Sequence, residues 1–482
     1  KYTFQCRIKG NEGFNNLYLE DGYAIINAAE LVNNTSDELE DWYFINLSDA
    51  LAAAQKKENE GRLLKLYAKA DGFELNGGNV KLALESTASV GDIKLGGSAR
   101  LETEYGVFGG NVSVDENATL QINNGEFSGG INVKNGSVSI LDGTISNLTV
   151  SGGNVHIAGG TFENITLLNG GKVSDLLADG YALKAADGTI VNMYTDKISQ
   201  NVTVVRHTHD LGDIGTCACG YEDKAIDSDN DGAAEISTLG QLQWFAYQIN
   251  CGKTLNAVLT NDIDLGGKNV IIGTASNPFG GVFDGKGAKI TNYNLDVSGN
   301  DRGFFGVVYG GTVKNFEISG EITVNGDYGY IGGAVGRAKG GSVISGIVSN
   351  VNISGAGIAK HVGGIVGSSE SLKGMLDVKM CMYNGTVNLP NTKDCIGGII
   401  GYANDFVTVS YCGFSGSVTG MKGGSVGGIL GYVNNKNFGG LESSFAKGYS
   451  SGAVLIGTVR YCSDSIKNCV YGEGTSPFGG AG

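Results

Sequence analysis

The chain has 482 residues, too many for one compact core at roughly 150 residues per domain, and its 81 glycines against 3 prolines exclude collagen and a Pro/Gly/Ser linker. With 41% hydrophobic and 17% charged residues it can bury apolar surface and does not have the composition of a disordered chain. A formal net charge of −15 without a Lys/Arg cluster argues against nucleic acid and anionic lipid as partners, and the lack of a run of 18 apolar residues argues against membrane insertion.

In chain order, residues 1–46 read as a strand-rich extension. The chain opens at Lys1 without an apolar signal stretch and ends without a sorting anchor, so an exported protein would be present here in mature or trimmed form. From 47 to 205 a first repeat region follows. Ser48-Asp49 and the alanine-rich run after it predict a polar N-cap and a short amphipathic helix, which leads into the strand Leu63–Leu66. Gly-x-Phe/Ile then recurs at Gly106, Gly125, Gly143 and Gly160, at spacings of 19, 18 and 17 residues. Around these anchors lie alternating stretches such as Val112-Ser113-Val114 and Val155-His156-Ile157, separated by Gly-Gly, Asn-Gly or Asp-Gly turns. Repeats of about 18 residues suit stacked parallel coils, each burying its face against the next.

Residues 206–236 break the periodicity and gather potential ligands. His207-Thr208-His209 and Cys217-Ala218-Cys219 offer the two donor types preferred by a closed tetrahedral zinc site; the alternative is a cysteine pair otherwise engaged or idle. Next, Asp227, Asp229 and Asp231 stand at positions 1, 3 and 5 of a loop, Gly232 at 6 and Glu235 at 9. That is the front of an EF-hand-like calcium loop, with the Ala233 carbonyl as a further ligand, although Thr238 occupies the place of the usual closing glutamate. A solvated acidic linker is the plainer reading of the same residues.

Residues 237–482 form the second repeat region. Ser237-Thr238 and the run through Trp244-Phe245-Ala246 repeat the cap, helix and strand order of the first entry, and in both places the helix is expected to cover an open first coil. The pentads at Gly332, Gly363, Gly397 and Gly427 follow at 31, 34 and 30 residues, and their paired glycines are expected to turn at positive φ and pack tightly. The fold class is therefore all-β: two right-handed parallel β-helix (solenoid) segments, each entered through a short capping helix. Nine cysteines leave at least one thiol unpaired. The similar settings of Cys381, Cys412, Cys462 and Cys469 suit an inward-facing ladder of small residues, with disulfides as the alternative.

The pentads Gly363-Gly364-Ile365-Val366-Gly367 and Gly397-Gly398-Ile399-Ile400-Gly401, together with Asp262-Ile263-Asp264-Leu265 and Phe283-Asp284-Gly285-Lys286-Gly287, resemble the GLUG-motif repeats of surface proteins from Gram-positive and gut bacteria. The resemblance covers about 225–470. The first region is more loosely similar to β-helix segments of clostridial-type surface proteins. Both imply an extracellular or cell-surface location and a scaffold or adhesin role. GLUG regions also accompany IgA-cleaving metallopeptidases, but His-Glu-x-x-His is absent here, so peptidase activity does not carry over.

Catalytic constellations are weak. His156 and His361 stand alone, and Asp262 and Asp264 share one strand face for which entry into the repeats already accounts. Tyr309, Tyr328, Tyr330, Tyr402, Tyr411 and Tyr432 lie near turns, as rings that stack on sugars or as an internal ladder. The expectation is a non-enzymatic adhesin or scaffold that takes a glycan or host surface protein, with calcium and zinc as candidate ions. Two alternatives stand beside it: a fibre subunit that self-associates end to end, with Lys1 to Ile8 donating a strand, and a polysaccharide lyase or glycosidase.

Overall fold

The structure is a computed structural model. It describes residues 46–479 apart from 87, 371–373, 405, 435–436, 461–464, 473–475 and 477; before 46 it describes the strand segments 6–7, 16–18, 24–26, 29–32 and 42–44. The protein is all-β with parallel sheets, 49% strand and 7% helical. It divides into two compact units, residues 1–210 with 217–221, and residues 211–216 with 222–482. The stretch read as one linker is thus shared: Cys217–Tyr221 folds with the first unit and the rest from Leu211 with the second.

In the first unit the strands Leu63–Leu66, Asn79–Leu84, Arg100–Thr103, Thr119–Ile122, Ser137–Ile140 and Asn154–Ile157 pair in parallel, each with the next. Register aligns Leu64, Leu82, Thr103, Ile122, Ile140 and Ile157, all fully buried. Alternation puts these inward and leaves the residues between them outward, as a period of two requires. A second sheet stacks Phe108 on Phe127, with ring centroids 4.5 Å apart, then Ile145 and Phe162. The Gly-x-Phe/Ile anchor therefore marks an inward apolar row.

Both ends of this unit depart from parallel pairing. Ala29–Val32 lies antiparallel to Leu63–Leu66, and Trp42–Phe44 is antiparallel in turn to Ala29–Val32. Helix α1, Leu47–Ala54, is capped by Asn46 rather than Ser48. The first edge is thus covered by a strand, and the helix does not do this alone. Cys6–Arg7 pairs with Trp42–Tyr43 within the same chain; the rest of the Lys1 to Ile8 stretch lies outside the described residues. At the other end Lys197–Arg206 runs antiparallel to Thr161–Leu167 and to Tyr181–Ala185.

The second unit begins with a strand, Ala234–Ile236, that pairs in parallel with Ala257–Leu259 across helix α2, Leu239–Asn250. Thr238 caps α2 by accepting from the Gln241 N–H at 3.1 Å, while the Gln241 side chain accepts from the Ser237 N–H at 2.7 Å. Leu242, Phe245, Ala246 and Ile249 share one face at helical spacing and are buried, Phe245 against Phe279 and Phe283. Beyond it, strands pair in parallel through sheets of 18, 6 and 4 strands.

The pentad glycines do not turn at positive φ: none of Gly332, Gly333, Gly363, Gly364, Gly397, Gly398, Gly427 or Gly428 adopts that region. Close approach is what excludes a side chain. A Cβ on Gly333 would collide with the Gly364 carbonyl oxygen, one on Gly364 with that of Gly398, and one on Gly398 with that of Gly428. Positive φ occurs instead at one corner, where Asn315, Gly346, Met380, Tyr411, Ser443 and Asn468 have φ of 60°, 63°, 53°, 55°, 49° and 53°. One residue further, the thiols of Cys381, Cys412 and Cys469 donate to the carbonyls of Lys379, Ser410 and Lys467 at 3.3, 3.4 and 3.3 Å. Ser444 fills the equivalent place and donates to the Glu442 carbonyl at 2.9 Å. These three cysteines are free, so the row is a corner hydrogen-bond device; Cys462 lies outside the described residues.

Gly398→Ala should lower the urea midpoint by an amount equivalent to about 2 kcal/mol or more, because overpacking here meets backbone. Gly472→Ala, where a Cβ meets nothing within 4 Å, should leave the midpoint unchanged. Equal midpoints for the two variants would refute the close-packing account.

Candidate metal centres and outer rows

His207 follows directly from the strand Lys197–Arg206, and its N–H donates to the Gly180 carbonyl at 2.9 Å. The Arg206 guanidinium lies 4.3 Å from the Tyr181 ring centre, which fixes the strand end. Cys217 and Cys219 sit on a tight turn in which the Cys217 N–H donates to the Tyr221 carbonyl at 2.7 Å and the Gly220 N–H to the Cys217 carbonyl at 2.9 Å. Gly220 has φ +92°, and a Cβ there would strike the Asn192 side chain. The Met193 N–H holds the turn by donating to the Cys219 carbonyl at 2.9 Å.

These elements bring four donor atoms together, one from each of His207, His209, Cys217 and Cys219, all within 4.8 Å of one another. His207 Nε2 is 3.1 Å from Cys217 Sγ, and His209 Nδ1 is 3.3 Å from Cys219 Sγ. Both cysteines are buried, His207 is half-buried and His209 exposed. The His209 ring stacks on Tyr221 with centroids 4.2 Å apart at 15°. Burial pushes the Cys219 thiol up to about 11, and burial together with the His207 charge lowers the His209 imidazole.

The acidic loop lies in the second unit. Asp227, Asp229 and Glu235 each bring a carboxylate oxygen within 4.8 Å of the others. The loop folds on these groups: Asp227 accepts from the N–H of Asp231 at 3.0 Å and of Gly232 at 2.9 Å, and Glu235 accepts from the Ser228 N–H at 2.9 Å. That last bond holds the Glu235 carboxyl below its usual range. Asp231 is outside the converging three, because its Oδ1 accepts from the Ala233 N–H at 2.9 Å.

The remaining sequence candidates are dispersed. Asp262 accepts from the Lys289 N–H at 2.7 Å, and Asp264 from the Gly266 N–H and the Asn292 side-chain amide, both at 2.8 Å, so both serve backbone and neighbouring repeats. His156 is exposed on its strand. His361 is stacked on Tyr402 with centroids 4.2 Å apart at 6°, lies 5.2 Å from Tyr330, and pairs with Ser368 Oγ at 3.0 Å. Tyr402 stacks in turn on Tyr432 at 5.5 Å. Tyr328 packs against the core, while Tyr309 and Tyr411 are exposed by 42% and 65% and keep free ring faces for a ligand.

One cluster escapes sequence reading. Arg337 pairs with Asp301 at 2.7 Å and Glu370 at 3.1 Å and lies 5.0 Å from the Tyr330 ring centre, with Lys339 3.6 Å from Glu370. Burial pushes the Asp301 carboxyl up. Its members come from three successive repeats, so only the register could have revealed it. Comparison with protein-family models, with curated proteins and with solved structures finds no match for this chain.

Burial lowers the His361 imidazole from 6.5 to about 4. A depressed histidine binds fewer protons in the folded state than in the unfolded one, so stability falls as pH drops through this window and is level above it. The contribution is at most about 3 kcal/mol by linkage. His361→Phe retains a ring between Tyr330 and Tyr402 and should flatten the dependence of the urea midpoint on pH across that range. A slope identical to that of the parent protein would overturn this assignment.

Proposed function

We propose that this chain is an extracellular or cell-surface scaffold of the adhesin type, in which each unit winds as a right-handed parallel β-helix and the outward rows bind glycans or host surface proteins. The observation that carries this reading is a row of outward polar residues in register on one sheet of the second unit: Glu321, Asn352, Thr386, Ser417 and Tyr449. The Asn352 amide donates to Glu321 at 2.9 Å and its oxygen accepts from the Thr386 N–H at 3.0 Å. Alongside it, Glu317, Asn350, Asn384 and Ser415 form a second row linked at 2.8, 3.0 and 2.6 Å. Parallel pairing repeats such groups about every 4.8 Å, and amides and hydroxyls at a fixed pitch suit a polymer rich in hydroxyls or peptide groups. Tyr449, 64% exposed, adds an aromatic face at the end of the first row. The Gly-Gly pentads support a surface location through their resemblance to GLUG repeats.

In this reading calcium occupies the loop held by Asp227, Asp229 and Glu235, with Asp231 and the Ala233 carbonyl completing the set after a local shift. Three converging carboxylates repel one another, and a hard cation with oxygen ligands relieves that repulsion. The ion would stiffen the loop where it enters the second unit, ahead of α2.

A glycan array on the full chain, followed by reducing-sugar assays on its hits, tests the main reading. Binding that Tyr449→Ala or Asn352→Ala weakens at least about tenfold, without released sugar, is expected; a tenfold loss corresponds to about 1.4 kcal/mol. Released oligosaccharide would replace this reading with a polysaccharide-cleaving enzyme. For the loop, about 10 mM calcium acting on a site of about 0.1 mM affinity should add about 2.7 kcal/mol of stability, and Asp229→Asn should abolish the gain. A parent protein indifferent to calcium would remove the ion from the account.

A further inference from the structure

We propose that His207, His209, Cys217 and Cys219 hold one structural zinc ion that closes the C-terminal end of the first unit. The inference is independent of what the outer rows bind. Zinc at 2.3 Å from sulfur and about 2.05 Å from nitrogen sets the N···S edge of a tetrahedron at about 3.6 Å. The two observed N···S distances, 3.1 and 3.3 Å, fall a few tenths of an ångström inside that edge, so coordination needs only a slight spreading of side chains. Four converging protein donors complete a tetrahedron and leave no position for a substrate, which is the arrangement of a structural site. Two thiolates and two imidazoles select a borderline-soft ion over calcium or magnesium.

Packing gives an independent reason. Between His207 and Tyr221 the buried apolar residues of the chain are Cys217 and Cys219, so this module has no hydrophobic core of its own. A segment this small gains its folding energy from a metal or a disulfide. The surroundings already orient the ligands: the Tyr221 ring carries His209, the Tyr221 carbonyl and Gly220 shape the cysteine turn, and Met193 anchors it. His207 follows the closing strand Lys197–Arg206, which covers the edge of Thr161–Leu167. Zinc joined to His207 and to the returning Cys217–Cys219 turn fastens the end of that strand. Coordination releases one proton from each thiol and involves no electron transfer.

The test uses the full chain, purified under reducing conditions and loaded with zinc or cobalt(II). Elemental analysis should give one zinc per chain, and cobalt should show the visible bands of tetrahedral coordination with thiolate-to-metal charge transfer. His209→Gln, at an exposed position, and Cys219→Ser should each weaken zinc by more than the roughly 10–100-fold that loss of an outer-shell partner costs. Cys251→Ser, at an exposed thiol away from the cluster, should retain it. Should Cys219→Ser fail to fold, His209→Gln carries the comparison, with protease cleavage after Arg206 in the metal-free parent as the second readout. A parent protein that takes up no zinc, an octahedral cobalt spectrum, or a Cys217–Cys219 disulfide by intact mass under reducing conditions would overturn the proposal.

Discussion

Parallel strands in register stand about 4.8 Å apart, so nearly every side chain in these units is covered by its counterpart one repeat later. Phe108 lies on Phe127, Glu102 beside Lys81, and the Cys381 position above those of Cys412 and Ser444. A residue is accepted where its own kind, or its complement, stacks at that distance. Where the backbones approach closest, in the Gly-Gly pentads, even a methyl group is excluded. The same constraint makes outward polar residues into rows and inward ones into columns of Val, Ile, Leu and Phe.

That constraint explains why so much of the repeat pattern was legible in the sequence. Gly106, Gly125, Gly143 and Gly160 announce themselves because each anchors the same step of the stack, and the four pentads do so because nothing but glycine fits. The reason assigned to the pentads was half wrong: backbone approach demands glycine there, and the left-handed corner lies elsewhere, at residues as unlike as Met380 and Tyr411. The ends were less legible. Ala29–Val32 and Lys197–Arg206 pair antiparallel, and no period records a strand that occurs once.

The candidate sites divide along the same line. His207, His209, Cys217 and Cys219 lie within 13 residues, and local spacing sufficed to nominate them. The return of Cys217–Tyr221 to the first unit, after Leu211–Thr216 has joined the second, carries no such signal. Asp231 looked equivalent to Asp227 and Asp229 by position, but the backbone turn at Asn230 and Gly232, with φ of 60° and 91°, directs its carboxylate to the Ala233 N–H. Asp301, Arg337 and Glu370 meet only because successive repeats superpose.

The left-handed corner has a consequence for how the second unit tolerates change. Asn315, Gly346, Met380, Tyr411, Ser443 and Asn468 hold nearly one conformation, although 31, 34, 31, 32 and 25 residues separate them. A non-glycine residue there bears about 1–2 kcal/mol of backbone strain, so the conformation persists because the surrounding stack enforces it. The corner therefore acts as a phase marker. Each lap of the chain returns to it whatever length it has gathered on the way, and insertions elsewhere in a lap leave the next one in step.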